Sequence, residues 1–159
     1  MQTIIGRSYH IKDQFFTLVN DPWLMQNKDN GKYRPHFLFI SDPNNNDIYW
    51  AIPQSSKIQK YQKIISDKIK KYGKCNTIII ADFGGHQSAF LLQNMFPIIN
   101  KYIDHEHTIN GQPVTIHQKT IAHITTNALK VLNLHKQGIK VIYPYVDRIY
   151  NLMLSELAT

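Results

Sequence analysis

The pattern of apolar and polar positions predicts strands in the first and central parts of the chain. Apolar runs at residues 35 to 41 and 48 to 53 flank an asparagine-rich segment at 42 to 47. This is typical of two antiparallel strands joined by a hairpin loop. Residues 77 to 84 and 88 to 99 repeat the pattern around a turn-like GGHQ, and we expect the first of these two strands to be central and buried.

Apolar residues at helical spacing predict helices between and around these strands. A short helix is expected in the segment IKDQFFTLV, packed through Phe15, Phe16 and Leu18. A second should follow residue 57 and end at Gly73 in a left-handed conformation. Its apolar positions are Ile58, Tyr61, Ile65, Ile69 and Tyr72.

Two further helices are predicted towards the end of the chain. One runs from Lys119 to Lys136 and is closed by Gly138. The last begins near Pro144 and is expected to bury Ile149, Leu152, Met153 and Leu157. Before them, Asn110 and Gly111 favour a tight turn.

This order of elements predicts an α+β fold around a mostly antiparallel sheet, with helices surrounding it. A doubly wound parallel sheet is disfavoured, since strict alternation of strand and helix is missing. We expect residues 1 to 159 to form a single domain, because that length suits one core.

Composition narrows the class of protein. With 43% hydrophobic and 18% charged residues the chain is typical of a globular protein. The single cysteine, Cys75, excludes an internal disulfide framework and a CxxC zinc site. The sequence shows neither a signal peptide nor an apolar run long enough to cross a bilayer, so we expect a cytoplasmic protein that does not engage membranes.

The charge of the chain points to a polyanionic partner. Lys and Arg number 18 against 11 Asp and Glu, which gives a net charge of +7. Seven lysines fall between residues 57 and 74, where Asp67 is the only acid. A concentrated positive segment of this kind favours nucleic acid as the partner.

Several motifs that resemble catalytic or metal signatures lack the partners those signatures need. ADFGG at residues 81 to 85 lacks the other kinase motifs, and DHEH at 104 to 107 has no HExxH or other metal-spaced companion. No tight acidic cluster of the two-metal type and no GxSxG elbow occurs. We therefore expect no metal and no cofactor, and any cleavage of RNA to proceed without a metal ion.

The strongest candidate site lies at the open end of the first predicted hairpin. If the two strands pair, the residues that enter the first lie beside those that leave the second. Six side chains are expected to converge: Tyr33, Arg34 and His36 with Ser55, Ser56 and Lys57. Metal-free RNA cleavage needs a base, an acid and donors that stabilise charge on phosphorus, and this set contains each kind of group. The structural alternatives are a strand histidine, a surface arginine and a serine that caps the following helix.

The ordered motifs YRPHFLFI, YWAIPQSSKIQKY, GKCNTIIIAD and LLQNMFPI resemble the toxins of type III toxin–antitoxin systems. The chain is similar to the ToxN/AbiQ superfamily and most similar to its CptN-like branch, from residue 33 to about residue 103. The resemblance implies an endoribonuclease with a barrel-like, sheet-centred fold similar to MazF/Kid toxins. It also implies inhibition by a small RNA pseudoknot cut from a repeat transcript.

The resemblance assigns roles to named residues. Ser56 matches the key serine, Ser55 the hydroxyl before it and Lys57 the nearby lysine, while Tyr33 with Arg34 and His36 resembles the upstream Tyr/Lys element. The chain departs from the ToxN pattern in its SSK order and in lacking a lysine within RPHF. The assignment of base and acid, between His36 and Lys57, therefore stays open.

We expect the surrounding residues to bind RNA. The predicted phosphate contacts are Arg34, Lys32, Lys60, Lys63 and Lys70, together with the N-terminal amides of the helix after residue 57. Tyr61 and Tyr33 offer stacking faces, and Gln93 and Asn94 either read base edges or satisfy buried backbone. The leading hypothesis is a sequence-selective endoribonuclease toxin that cuts mRNA, processes its repeat RNA antitoxin and forms a protein–RNA hetero-oligomer. The alternative is a protein that sequesters RNA without cutting it.

Overall fold

The computed structural model describes residues 2–159 and is built around a seven-stranded sheet with two short hairpins beside it. The strands of the described residues are β1 (Ser8–Ile11), β2 (Lys28–Asp29), β3 (Lys32–Tyr33), β4 (His36–Asp42), β5 (Asn45–Ser55), β6 (Ile78–Phe83), β7 (His86–Leu91), β8 (Phe96–Ile99), β9 (Ile103–Glu106), β10 (Thr108–Ile109) and β11 (Gln112–Pro113). The helices are α1 (Asp13–Val19), α2 (Ile58–Tyr72), α3 (Gln118–Lys136) and α4 (Val146–Leu157).

The four helices lie where the apolar spacing predicted them. Gly73 ends α2 with φ +81, and Gly138 follows α3 with φ +85, so both glycines occupy the left-handed region that favours them. Some predicted contacts are wrong: Leu18 and Leu157 are exposed, because α1 and α4 pack through Val19, Phe15, Ile149 and Met153 instead. Within residues 2–159, no helix is long and apolar enough to cross a membrane.

The sheet confirms the prediction of mostly antiparallel pairing, but it does not close. Its strands follow the order β6-β7-β5-β4-β1-β9, with β8 also paired to β5, and each described pair is antiparallel. Because β6 and β9 are the two ends of this path, the predicted barrel-like closure is not seen. The prediction of a central strand at residues 77 to 84 is also wrong, since β6 is an edge strand that is partly covered by α2.

The hairpin of β4 and β5 is confirmed, with His36 opposite Pro53 and Asp42 opposite Asn45. Only residues 43 and 44 form its loop, because β5 already begins within the asparagine-rich segment. Pro53 has no N–H to donate, yet it does not end β5. The N–H of Gln54 points towards the β4 side, so the nitrogen of Pro53 points to the opposite side of β5. On that side β5 changes partner from β8 to β7 at this position, so no ladder bond is lost.

The segment predicted as one strand, residues 88 to 99, is two strands. A 3-10 turn at Leu92–Asn94 separates β7 from β8, and both pair with β5 at different places along its length. The turn is hidden in the sequence because every residue from 91 to 99 is buried.

Both faces of the sheet are covered by helices. Alternate side chains of β4 point to opposite faces: Phe37 and Phe39 join the cluster under α3, whereas Leu38 joins the cluster under α1 and α4. A third, smaller cluster lies between α2 and the β6–β7 hairpin, with Tyr61 at its centre. The end of β5 that carries Ser55 is left at the edge of these layers.

Candidate active site

A cleft of about 360 Å³ opens where β5 ends and α2 has not yet begun. We call it the serine cleft. Its lining comes from the β2–β3 hairpin, the start of β4, the end of β5, the β6–β7 turn and the segment after β9: Asp29, Asn30, Lys32, Tyr33, Arg34, Pro35, Gln54, Ser55, Ser56, Phe83, His86, Gln87, Ser88, His107 and Ile109. The structure thus brings together Tyr33, Arg34 and the two serines, as the hairpin predicted.

Asp29, which the sequence analysis missed, holds both serines. Its Oδ2 accepts the hydroxyls of Ser55 and Ser56, each at 3.1 Å, and the backbone N–H of Ser56 at 2.9 Å. Its Oδ1 lies 3.9 Å from Nζ of Lys57. Burial alone would raise the pKa of Asp29, but the hydrogen bonds from Ser56 and the charge of Arg34 outweigh it and lower the pKa. Asp29 is therefore an anion that orients the serines and faces a cation.

The two hydroxyls differ in accessibility. Ser55 is buried, and its Oγ also accepts the N–H of Lys57 at 3.2 Å, so this hydroxyl is fully engaged within the chain. Ser56 is exposed, and within residues 2–159 its hydroxyl has one hydrogen bond besides that to Asp29, a long one from Nδ2 of Asn30 at 3.4 Å. Ser56 is the hydroxyl that a ligand in the cleft can reach.

The start of α2 offers less to a phosphate than predicted. The N–H of Lys57 is bound to Ser55, and the N–H of Ile58 donates to the carbonyl of Ser56 at 2.9 Å. The residue that caps α2 is Lys57, without a side-chain capping bond, so neither serine is the cap itself. Of the phosphate-binding groups predicted around the start of α2, the ammonium of Lys57 is the one that lies at the edge of the cleft.

Arg34 has a structural role in this fold. It is 4% exposed, and its guanidinium donates to the carbonyl of Gln26 at 2.9 Å and to that of Gln54 at 2.8 Å. The alternative of a surface arginine is therefore wrong, and the contact of Arg34 with RNA phosphates stays a prediction for a side chain that lines the cleft but is almost completely buried. Its charge still acts on the cleft from below, because it lowers the pKa of Asp29.

His36 is also misplaced as a catalytic group. It is completely buried, with its ring 5.6 Å from that of Phe96 and 6.1 Å from that of Phe16. Burial, with smaller contributions from the charges of Arg34 and His10, lowers the pKa of His36 to about 3. The structure contradicts proton transfer between His36 and RNA, because neither ring nitrogen reaches the surface and the ring stays neutral.

Three predicted RNA contacts lie away from the serine cleft. Tyr61 is 4% exposed and packs in the cluster under α2, so it offers no free stacking face. Gln93 and Asn94 are buried in the turn after β7, where Oε1 of Gln93 accepts Nζ of Lys68 at 2.7 Å. They follow the end of β7, whereas the β7 residues that line the cleft extend no further than Ser88. The side chain of Gln93 thus bonds another side chain, and base readout by these residues stays a prediction.

The remaining predicted RNA contacts are on the surface. Tyr33 is 45% exposed, and its hydroxyl donates to Asp13 at 2.9 Å, which raises the pKa of Tyr33. Lys32 lines the cleft beside it. Lys60, Lys63 and Lys70 are exposed on α2, although Nζ of Lys63 is paired with Asp67 at 2.9 Å.

Two histidines that sequence reasoning missed supply the imidazoles of the cleft. His86 is exposed on the β6–β7 turn, and His107 is half-buried with its ring stacked on Phe83. Nδ1 of His107 lies 2.8 Å from Nε2 of His10. Nε2 of His107 is the ring nitrogen that this contact does not use. Burial and then the charge of His105 lower the pKa of His107, so this ring is neutral at pH 7.

One sequence signal could have found the β2–β3 hairpin and its aspartate. Asn30 and Gly31, with φ +52 and +78, form a dipeptide typical of a tight hairpin turn, as do Asn110 and Gly111. On the sequence alone, a turn is predicted at Asn110 and Gly111 but not at Asn30 and Gly31. Within residues 2–159, no group of three or more His, Cys, Asp or Glu side chains is arranged to hold a metal ion.

Comparison with solved structures identifies the architecture. The chain superposes on AbiQ, a lactococcal anti-phage endoribonuclease of the type III toxin–antitoxin system, with a TM-score of 0.72 and 10% identity over 96% of this chain and 98% of that one. It also superposes on a protein from a study of a bacterial antiviral system regulated by a processed non-coding RNA, with a TM-score of 0.64 and 13% identity over 91% and 95% of the two chains. No family model and no curated protein sequence matches the chain. This protein thus has the fold of AbiQ.

Proposed function

We propose that this protein is an endoribonuclease toxin of a type III toxin–antitoxin system, within the ToxN/AbiQ superfamily, and that it acts in defence against phage. The observation that carries the proposal is the likeness to AbiQ over nearly the full length of both chains. The serine cleft adds to it, because an exposed hydroxyl lies there beside a lysine and two imidazoles. Likeness to MazF/Kid toxins stays a prediction.

The serine cleft contains groups suited to RNA cleavage in which the 2′-hydroxyl of the RNA is the nucleophile. The 2′-oxygen attacks the adjacent phosphorus while the bond from phosphorus to the 5′-oxygen breaks, which leaves a 2′,3′-cyclic phosphate and a 5′-hydroxyl. Ser56 and Lys57 bind the phosphate oxygens and stabilise the charge that develops on them. Ser55 and Asp29 hold this end of β5 in place.

Proton transfer falls to the imidazoles that line the cleft. His86 and His107 replace the buried His36 in this role, with Lys57 as the other candidate and Tyr33 as a nearby phenol. His107 is neutral at pH 7, and a neutral imidazole accepts a proton from a 2′-hydroxyl. A second group, His86 or Lys57, gives a proton to the 5′-oxygen as its bond to phosphorus breaks. None of these roles requires a divalent ion.

The partner that we propose is a small RNA cut from a repeat transcript, folded as a pseudoknot and bound in a protein–RNA hetero-oligomer. The target is mRNA. The exposed lysines of α2 begin next to the serine cleft and extend one continuous basic surface from it. An inhibitory RNA and a substrate are therefore expected to share that surface.

The test is incubation of the purified protein with an RNA of known sequence, with and without EDTA. We expect cutting at defined positions in both samples, and complete resistance of the same RNA when the scissile nucleotide carries a 2′-O-methyl group. Loss of activity in EDTA, or cutting of the methylated RNA, contradicts the mechanism. Binding without any cutting favours the alternative, a protein that only sequesters RNA.

A further inference from the structure

A second cleft, of about 300 Å³, adjoins the serine cleft. We call it the histidine cleft; it is lined by His10, Ile11, Lys12, Asp13, Tyr33, Asp104 and His105. Tyr33 lines both clefts, and the hydrogen bond between His10 and His107 joins the wall of one to the wall of the other. A single strand of RNA that crosses Tyr33 passes from one cleft into the other.

The histidine cleft is mixed in charge. Two carboxylates, Asp13 and Asp104, line it with the ammonium of Lys12, whose Nζ donates to the carbonyl of Lys101 at 3.0 Å, and the ammonium of Lys28 lies 4.9 Å from the centre of the Tyr33 ring. Burial and the charges of neighbouring histidines lower the pKa of His10 to about 4, so its ring adds no positive charge at pH 7. The carboxylates of this cleft can accept hydrogen bonds from a ligand that carries donors.

The same cleft offers flat surfaces for a ring. The imidazoles of His10 and His105 are stacked, with centroids 4.7 Å apart, and the exposed ring of Tyr33 forms another wall. Stacking on rings of this kind stabilises unpaired bases whatever their identity. A carboxylate beside them adds selectivity, because Asp accepts from the exocyclic amino group of a base, which uracil lacks.

We infer that the histidine cleft binds one unpaired base of the RNA, next to the scissile phosphate, and selects a base that bears an amino group. Asp104 is the selecting group. Its carboxylate is exposed and 3.4 Å from Nδ1 of His105, whereas both oxygens of Asp13 already accept bonds from Asn27 and Tyr33. This inference rests on the proposed function in taking RNA as the ligand.

The test compares two non-cleavable probes, 2′-O-methyl hexanucleotides of cytosine and of uracil, which differ in one amino group per base. We expect wild-type protein to bind the cytosine probe on the order of tenfold more tightly than the uracil probe, because one specific carboxylate contact to a base gives discrimination of about this size. Asp104→Ala, which removes the acceptor, should reduce this preference to within about twofold, and Asp104→Glu should retain part of it. His105→Ala should weaken both probes alike.

The matched control is Asp47→Ala, which removes an equal charge from the far end of the β4–β5 hairpin and should preserve the preference. Equal binding of the two probes by wild type, no binding of either, or an unchanged preference in Asp104→Ala would overturn the inference. Because the probes are not cut, these outcomes are separate from cleavage of unmodified RNA. If wild-type protein does not cut unmodified RNA, the proposed endoribonuclease activity is wrong, whereas the inference about base binding in the histidine cleft is unaffected.

Discussion

At the scale of single residues, the site depends on which hydroxyl is free to meet a ligand. Ser55 donates to Asp29 and accepts from the backbone of Lys57, so its bonds are internal. Ser56 shares the same carboxylate but remains exposed. A phosphate oxygen that enters the cleft can replace Asp29 as the acceptor of the Ser56 hydroxyl, with the ammonium of Lys57, 3.9 Å from Asp29, as the nearby positive charge.

This arrangement predicts that Ser56→Ala separates cleavage from binding. Loss of one donor to the transition state should lower the cleavage rate on the order of 100-fold or more. Affinity for a non-cleavable RNA should change by no more than about 0.5 kcal/mol, as for an ordinary surface substitution. Single-turnover cleavage and fluorescence anisotropy measure the two quantities.

Ser155→Ala, on the exposed side of α4, is the control for this prediction and should affect neither quantity. Parallel losses of affinity and rate in Ser56→Ala would show that the hydroxyl binds the ground state and the transition state equally. In that case the hydroxyl would have no separate role in the chemical step.

At the scale of elements, the periodic segments were predictable and the short polar ones were not. The apolar spacing of α2 and α3 and the two apolar runs of β4 and β5 carry their own signal. β1 and β9 have four residues each, with histidines and acids among them. They are strands because β1 pairs with β9, from Tyr9 to Glu106, and β1 also pairs with β4, and no local pattern records partners that lie elsewhere in the sequence.

The site was predictable to the same extent as its elements. Tyr33, Ser55 and Ser56 meet because a hairpin register follows from two apolar runs. The burial of His36 could not be read locally, since it results from α1 and β8 packing over that face of β4. His107 reaches the cleft because it directly follows β9, whose polar sequence carries no strand signal of its own.

The β2–β3 hairpin gives a prediction at this scale, because it delivers Asp29 to the serines. Gly31→Ala forces an L-residue into the left-handed region, at a cost of about 1 kcal/mol, with no steric clash to add to it. The hairpin is held by its turn and by Asp29, so this strain should loosen it. We expect the cleavage rate to fall several-fold with little change in the urea midpoint of unfolding.

Gly111→Ala is a closely matched control, since Asn110 and Gly111 share the φ values of Asn30 and Gly31 to within a degree. Its hairpin contributes Ile109 to the cleft but no polar group. Cleavage should therefore be less affected than in Gly31→Ala. Equal losses in the two variants would contradict a role for Asp29 in holding the serines.

At the scale of the whole molecule, the positive charge forms a path that begins at the serine cleft. α2 starts directly after Ser56 and Lys57, and exposed lysines lie along it from Lys60 to Lys71 in a helix of 15 residues, a length of about 22 Å. The serine cleft and the histidine cleft beyond Tyr33 are both mixed in charge. Under the proposed function, affinity and selectivity come from different regions: we expect α2 to attract the RNA backbone, and the two clefts to contact the scissile phosphate and its neighbouring base.

This division predicts how salt affects RNA binding. Lys60→Gln and Lys70→Gln should each lower the slope of log affinity against log salt concentration by up to about one unit, because each removes at most one phosphate contact. Lys63→Gln should have a smaller effect, since Asp67 already neutralises part of that charge. Lys130→Gln, on α3, removes the same charge from a helix that contributes nothing to either cleft, and its slope should equal that of wild type. Titrations of a non-cleavable RNA at several salt concentrations give these slopes; a loss for Lys130→Gln as large as that for Lys60→Gln would mean that net charge, rather than a path along α2, attracts the RNA.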